Sequence, residues 1–203
     1  KYGFNNLDVI PNFREVAPKP KIEEHGDELK LVFMARVNKM KGLDVIAEIA
    51  DKLQGRNISI DIYGPIFSDD EQYFKAELIG RYPSIKYCGV LQPDEIYDTL
   101  VKYDAMLFPT HYYTEGFPGS IMDAYRSGLP VIATNWKHAH EFIEDGITGY
   151  IVDFDNPIDE IIHRINILDA DRNLLLAMKE TAYMESLKYT PDAAWSILER
   201  YLK

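Results

Sequence analysis

Two carboxylates near the middle of the chain, Glu115 and Asp123, have a spacing that suggests chemistry. Glu115 lies on a loop after an apolar segment, and Asp123 lies in a short helix-like segment that begins after Phe117–Ser120. Such a helix start would offer free backbone N–H groups, which favour an anion. Two acids with an anion site between them could hold the parts of one elongated ligand, such as a diphosphate flanked by sugars.

Two cations upstream could neutralise such a diphosphate. Arg36 follows an apolar, strand-like segment, and Lys41 stands just before an amphipathic, helix-like segment. A guanidinium can hold phosphate oxygens through two hydrogen bonds, whereas an ammonium supplies a flexible point charge. The chain has a formal net charge of −11, so a phosphate site must be a local positive spot on an acidic surface. Arg36 and Lys41 are the candidates for that spot.

Together these motifs resemble the retaining glycosyltransferases of the glycogen-synthase-like superfamily (glycosyl transferases group 1, family 4). That family has two Rossmann-like domains in the GT-B fold. Its second acid is usually Glu, and this chain has Asp123 at that position. The residues that match the family patterns are Arg36, Lys41, Gly42, Glu115, Gly116, Phe117, Ala124, Gly128, Pro130, Val131 and Ile132.

The resemblance implies a role for each site residue. Arg36 and Lys41 would stabilise the departing diphosphate in place of a divalent metal, so no metal or other cofactor is expected. Glu115 would orient the donor sugar, and Asp123 would accept hydrogen bonds from the nucleotide ribose, with a reach about 1.5 Å shorter than that of Glu. The other implied donor-binding residues are Gly116, Phe117, Pro118, Gly119, Ser120, Gly64, Val90 and Leu91.

The elements that would position these residues alternate between strands and helices. The predicted strands are Leu29–Ala35, Ile58–Tyr63, Ile85–Tyr87, Ala105–Phe108, Val131–Ala133 and Gly149–Val152. The predicted helices are Gly42–Leu53, Asp69–Tyr82, Pro93–Lys102, Gly119–Ser127, His138–Glu144, Pro157–Leu168, Arg172–Leu187 and Pro191–Lys203. This alternation predicts an α/β fold with a doubly wound, Rossmann-like parallel sheet of about six strands and helices on both faces. Ligands of such sheets bind beyond the carboxyl ends of the strands.

By resemblance, residues 1–203 form a single donor-nucleotide domain, the C-terminal half of a GT-B enzyme. The chain opens at Lys1 without a Met, and we expect the N-terminal acceptor domain to be absent from it. The intact enzyme would transfer a sugar from a nucleoside diphosphate sugar to a glycan or lipid-linked acceptor with retention, and the isolated chain would be inactive. Two alternatives stay open, a nucleotide-sugar 2-epimerase and a non-catalytic nucleotide-sugar-binding module.

Composition narrows the cellular context. A content of 46% hydrophobic residues can build a substantial core, and the single cysteine, Cys88, excludes an internal disulfide. The net charge argues against non-specific binding of nucleic acid. No segment is long and apolar enough to span a bilayer. We therefore expect a cytoplasmic protein that could associate with a membrane through the absent domain.

Several nearby residues have more than one interpretation. His111 could touch the donor sugar or be structural, and Tyr112 and Tyr113 could stack on a sugar or pack the loop. Trp136–His138 stands where the family usually has Gly-Gly, so it could narrow the donor pocket or change the sugar it accepts. For His138 with His140, and for Ser68–Glu71, we expect solvated rings and a capped helix rather than metal sites.

Overall fold

The structure is a computed structural model that describes residues 10–23, 26–66, 71, 72, 74, 76 and 78–202. Its six-stranded sheet has the order β3-β2-β1-β4-β5-β6, with every neighbouring pair parallel. The strands are β1 Leu29–Met34, β2 Ile58–Tyr63, β3 Ile85–Tyr87, β4 Ala105–Phe108, β5 Val131–Thr134 and β6 Gly149–Val152. Each agrees with its predicted bounds to within one residue, and the predicted doubly wound fold is confirmed.

Helices connect these strands and cover the sheet. The helices are α1 Leu43–Lys52, α2 Ile96–Leu100, α3 Gly119–Arg126, α4 Ala139–Phe142, α5 Pro157–Ala170, α6 Arg172–Ser186 and α7 Pro191–Leu198. Short 3-10 turns cover Lys39–Lys41, Leu187–Tyr189 and Glu199–Tyr201. In the part of the chain that the structure describes, no helix is both long and apolar enough to cross a membrane.

Two predicted helices are much shorter in the structure, and a third is described only in part. The helix predicted at Pro93–Lys102 shrinks to α2 because a turn precedes it, in which the Glu95 side chain accepts the Gln92 backbone N–H. The helix predicted at His138–Glu144 shrinks to α4 because Ile143 is extended. Of the predicted helix Asp69–Tyr82, residues 69, 70, 73, 75 and 77 lie outside the described residues, as do residues 68–70 of the Ser68–Glu71 segment.

Strand β1 shows how both faces of the sheet are buried. Leu31 and Phe33 point to the face covered by α1 and α5, while Val32 points to the opposite face, which α3 covers. Successive side chains of a strand alternate between faces, so a strand covered on both sides is apolar at most of its positions. This burial explains the apolar runs in the sequence.

The order of the strands determines where a ligand can bind. The chain moves outward from β1 through β2 to β3, then returns to the other side of β1 to form β4. The loops after β1 and β4 therefore leave the sheet in opposite directions, and a crevice opens between them at the carboxyl ends of these strands. Met34 ends β1 and Phe108 ends β4 at this crevice.

Helix α6 is tied to the sheet by a buried ion pair. Lys179 Nζ donates a hydrogen bond to the Tyr103 carbonyl at 2.8 Å and lies 3.5 Å from Asp104 Oδ1. Asp104 in turn accepts the Lys30 backbone N–H at 2.8 Å. Burial lowers the pKa of Lys179, and the neighbouring Asp104 opposes that shift.

The segment before β1 packs along the outside of α3 and the C-terminal helices. Arg14 donates its backbone N–H to the Tyr189 carbonyl at 2.9 Å, and the Pro18 carbonyl accepts the Tyr97 hydroxyl at 2.7 Å. These contacts hold Arg14 against α3.

Candidate functional site

An open cleft of about 660 Å³ lies at the carboxyl ends of β1 and β4. The structure places all three predicted catalytic residues, Arg36, Lys41 and Glu115, around this one cleft. The N-terminal end of α3 forms another part of the wall. The full lining is Met34, Ala35, Arg36, Asn38, Met40, Lys41, Phe108, Tyr112, Glu115, Pro118, Gly119 and Ser120.

The loop after β1 is shaped by a cap and a close backbone contact. The Asn38 side chain accepts the Lys41 backbone N–H at 2.9 Å and closes the 3-10 turn that carries Lys41. Gly42 follows with a φ of 88°, and a Cβ built on it would lie 2.0 Å from the Pro109 carbonyl oxygen. Because only glycine allows this approach, the loops after β1 and β4 meet and face each other across the cleft.

Lys41 and Glu115 form an ion pair between these two loops, from Lys41 Nζ to Glu115 Oε2. Both side chains are partly buried, at 21% and 16% exposed. The Lys41 ammonium also lies 5.9 Å from the centre of the Tyr112 ring. Glu115 thus offsets part of the positive charge that Lys41 brings to the cleft, and an anionic ligand would compete with this carboxylate.

The start of α3 contributes backbone donors to the same cleft. Pro118 is the N-cap residue, and no side chain caps the helix there. Gly119 and Ser120 open the helix and line the cleft. The positive end of the helix dipole and the N–H groups of the first turn therefore face the space beside Arg36 and Lys41, as a bound anion would require.

Asp123 does not line this cleft. Its carboxylate is 6% exposed, and Arg14 holds both of its oxygens, with Nε 2.8 Å from Oδ1 and Nη2 3.3 Å from Oδ2. Sequence reasoning missed Arg14 because a single arginine in an irregular segment belongs to no periodic pattern. Asn38 was missed too, although an Asn three residues before Lys41 is a recognisable capping signal.

Phe117 and Gly116 support the loop rather than line the cleft. The Phe117 ring stacks on Phe142, with centroids 4.0 Å apart and planes 2° from parallel, and it also contacts Tyr189. Gly116 is exposed between Glu115 and this aromatic anchor. The packing of Phe117 fixes where α3 begins, and through it the position of the helix N-terminus.

Gly64 follows β2 and lies beside the cleft, whereas Val90 and Leu91 follow the end of β3. Gly64 abuts the cleft-lining Ala35: a Cβ at Gly64 would lie 1.7 Å from the Ala35 carbonyl oxygen. Its backbone N–H donates to the Gly89 carbonyl at 2.9 Å. Val90 is 55% exposed, and Leu91 packs partly against the core. Their role in binding a nucleotide base stays a prediction.

The other residues near the loops now have distinct environments. His111 Nε2 lies 3.0 Å from Asp44 Oδ1, outside the cleft lining. Tyr112 lines the cleft, whereas Tyr113 packs edge-on against Phe154 at 5.4 Å. The structure thus separates two tyrosines that the sequence could not.

The Trp136 side chain does not line the cleft: it is 1% exposed and packs against Phe108 in the core. The effect of the whole Trp136–His138 segment on the donor pocket and on the accepted sugar stays a prediction. His138 Nδ1 lies 2.6 Å from Glu141 Oε1. Among the described residues, no three His, Cys, Asp or Glu side chains cluster as a metal site would require.

Comparison with known proteins identifies the family of this chain. The family model of the glycosyl transferases group 1 matches residues 17–185 of this chain. An uncharacterized 41.2 kDa protein in the cps region of Klebsiella pneumoniae is 26% identical over 163 residues, which are 79% of this chain and 43% of that protein. The GtfA subunit of a UDP-N-acetylglucosamine–peptide N-acetylglucosaminyltransferase from Streptococcus pneumoniae is 30% identical over 125 residues, 60% of this chain and 24% of that protein. The chain thus spans less than half the length of these relatives.

Solved structures share the fold at low identity. A variant of TarM from S. aureus, in complex with UDP, has a TM-score of 0.80 at 23% identity, covering 99% of this chain and 40% of TarM. HepE from Anabaena, in complex with UDP and glucose, has a TM-score of 0.76 at 17% identity, covering 88% of this chain and 49% of HepE. The sheet and its helices are those of one half of a GT-B glycosyltransferase. With a family match across well over half of its length, this chain belongs to the glycosyl transferases group 1.

Proposed function

We propose that this chain binds the nucleoside diphosphate sugar donor of a retaining glycosyltransferase. One observation carries the proposal: two cations, a carboxylate and an uncapped helix N-terminus converge on one cleft at the switch point of the sheet. A diphosphate needs both the charge of Arg36 and Lys41 and the N–H groups of α3.

In this proposal, the leaving diphosphate lies between the two cations and the start of α3. Charge develops on the diphosphate as the bond to the sugar breaks, and preorganised donors that stabilise such charge often make the largest contribution to catalysis. Glu115 lies on the opposite loop, where it orients the donor sugar and restrains Lys41. Because cations and backbone groups supply the charge, we propose that the reaction needs no metal or other cofactor.

The nature of donor and acceptor is proposed from the relatives. TarM and HepE were solved with UDP. Among the relatives are an amylovoran biosynthesis glycosyltransferase from Erwinia amylovora and a putative colanic acid biosynthesis glycosyltransferase from Salmonella typhimurium. We propose a nucleotide-sugar donor and a glycan or lipid-linked acceptor in polysaccharide assembly. We further propose that a second domain supplies the acceptor site, so residues 1–203 alone would catalyse no transfer.

Calorimetric titration tests the phosphate site directly. A hydrogen bond to a charged group is worth about 1.5–3 kcal/mol, so Arg36→Ala should weaken pyrophosphate binding roughly ten- to a hundredfold. Lys41→Ala should weaken it less, because an ammonium lacks the bidentate geometry. Arg56→Ala is the matched control, since Arg56 pairs with Asp169 away from the cleft. Unchanged pyrophosphate binding by Arg36→Ala would place the phosphate site elsewhere.

Product analysis separates transfer from the two alternative activities. A protein that joins this chain to its acceptor domain would be incubated with UDP-, GDP- and ADP-sugars and a glycan acceptor. A glycosylated product supports the proposal, and free epimerised sugar would indicate a 2-epimerase instead. Binding without either product would indicate a non-catalytic module.

A further inference from the structure

We infer that Arg14 is a donor-binding residue and that Asp123 is the positioning residue that holds it. The inference rests on the proposed function, because it assigns a further contact to the same nucleotide. Arg14 precedes β1 in sequence and reaches α3 only through the fold.

The Arg14 guanidinium lies directly over the first turn of α3. A Cβ built on Gly119 would be only 2.6 Å from Arg14 Nη2. Gly119 itself lines the cleft. The guanidinium therefore borders the place where the proposed diphosphate meets the helix N-terminus, and any side chain at position 119 would displace it.

The hydrogen bonds of Arg14 leave donors for a ligand. Within the described part of the chain, it donates from Nε and Nη2 to Asp123 and from Nη1 to the Phe13 carbonyl at 3.4 Å. A guanidinium has five N–H groups, so two remain. Arg14 does not itself line the cleft, but 38% of its side chain is exposed and its neighbour Gly119 does line it. We place the contact with phosphate or ribose oxygens at this border of the cleft.

The same geometry argues against direct contact between Asp123 and the nucleotide. Both carboxylate oxygens already accept from Arg14, and the side chain is almost fully buried. Pulling Arg14 away would leave a buried carboxylate without its partner, which is strongly unfavourable. A ligand therefore gains more by binding to the exposed edge of Arg14 than by displacing it.

A cation at this position also needs a partner of opposite charge. The N-terminal end of a helix carries partial positive charge, so a guanidinium beside it is unfavourable unless anions offset both. Asp123 supplies one such anion from inside the protein. The diphosphate of the donor would supply the second from the cleft.

Calorimetry on the 203-residue chain can test this assignment. The chain and its variants would be titrated with UDP, GDP and ADP, with the 2′,3′-dideoxy form of the tightest binder, and with inorganic pyrophosphate. Arg14→Met keeps the length of the side chain but removes its donors, and should weaken the tightest nucleotide about tenfold. Arg56→Met makes the same change of charge at a pair with Asp169 and should have no effect.

The analogues identify which oxygens Arg14 contacts. If it contacts ribose hydroxyls, Arg14→Met will weaken the ribonucleotide but neither the dideoxy form nor pyrophosphate. If it contacts phosphate, all three will weaken. Either result supports the inference. Unchanged or tighter binding by Arg14→Met would overturn it, because Arg14 would then be only structural or a competitor for the site.

A double-mutant cycle tests the positioning role of Asp123. Asp123→Asn should weaken nucleotide binding in the parent but have no further effect in the Arg14→Met background. Equal losses in both backgrounds would show that Asp123 acts independently of Arg14.

Arg36→Ala distinguishes failure of this inference from failure of the proposed function. If Arg36→Ala abolishes binding but Arg14→Met does not weaken it, the inference fails and the proposed function stands; if the parent binds no nucleotide, both fail.

Discussion

At the scale of single residues, Glu115 has two opposing effects on the cleft. It holds Lys41 between the two loops, which fixes the position of the ammonium. It also occupies a donor that a phosphate oxygen would use. In the proposed transferase, this carboxylate would weaken binding of the diphosphate product while it orients the donor sugar.

Glu115→Gln should therefore tighten pyrophosphate binding. A partly exposed ion pair is worth at most about 1 kcal/mol, so the gain should be about fivefold. Glu141→Gln removes the same charge from an exposed carboxylate paired with His138, outside the cleft, and should leave the affinity unchanged. Calorimetry would report both values. Weaker binding by Glu115→Gln would instead show that Lys41 depends on Glu115 for its position.

The structure differs most from what the sequence predicts in the contacts of individual side chains. The meeting of Arg36, Lys41 and Glu115 at one cleft could be predicted because each belongs to a spaced motif that follows a predicted strand. The contact of Arg14 with Asp123 could not, since it joins positions 109 residues apart without periodicity. The stacking of the Phe117 ring on Phe142 could not be predicted either, and a contact of Phe117 with the donor stays a prediction.

At the scale of elements, the site depends on how closely two loops approach. The contact of Gly42 with Pro109 locks the loop after β1 against the loop after β4. The left-handed conformation of Gly42 also ends the 3-10 turn and starts α1. One glycine thus sets both the direction of a helix and the width of the cleft.

Gly42→Ala should destabilise the protein more than a matched glycine substitution. Gly55→Ala adds a methyl group at a φ of 77° with nothing within 4 Å, so it should cost only the strain of a left-handed alanine, about 1–2 kcal/mol. Gly42→Ala adds a clash with backbone to that strain and should cost about 1–3 kcal/mol more. Urea unfolding of both variants would measure the difference. Equal losses would mean that the two loops separate freely.

The strands and the long helices were predictable, and the ends of the short helices were not. The strands follow from apolar runs that must be buried on both faces, and α1 follows from its apolar stripe. Helices α2 and α4 are shorter than predicted because residues 93–95 form a turn before α2 and Ile143 is extended after α4. Such ends depend on loop geometry that no periodic pattern encodes.

Buried tyrosines make the stability of the whole molecule depend on pH in the alkaline range. Burial raises the pKa values of Tyr103, Tyr125 and Tyr189, because an ionised phenolate is poorly solvated in the interior. Hydrogen bonding of Tyr103 to Asp61 raises its pKa further. All three side chains belong to the buried cluster on the α3 side of the sheet.

The sign of the effect on stability follows from which state loses its protons first. Tyrosines of the unfolded chain titrate near pH 10, whereas the folded state keeps these protons to higher pH. Their contribution to stability is therefore complete below pH 10 and is lost above it. Lys179 acts in the opposite sense, since its lowered pKa makes rising pH favour folding up to its ordinary value of 10.5. A net loss of stability is expected above about pH 10.5.

The free energy of unfolding should thus fall with pH by up to about 1.4 kcal/mol per pH unit for each buried tyrosine. Tyr125→Phe removes one titrating group, together with the hydrogen bond from its hydroxyl to the Phe142 carbonyl. The variant should be less stable at pH 8 but should lose stability less steeply between pH 10.5 and 11.5. Urea unfolding at intervals across this range would give both slopes, and adding Tyr189→Phe should flatten the fall about twice as much. If Tyr125→Phe kept the slope of the parent, the buried phenol would not be coupled to folding, and alkaline unfolding would have to begin elsewhere.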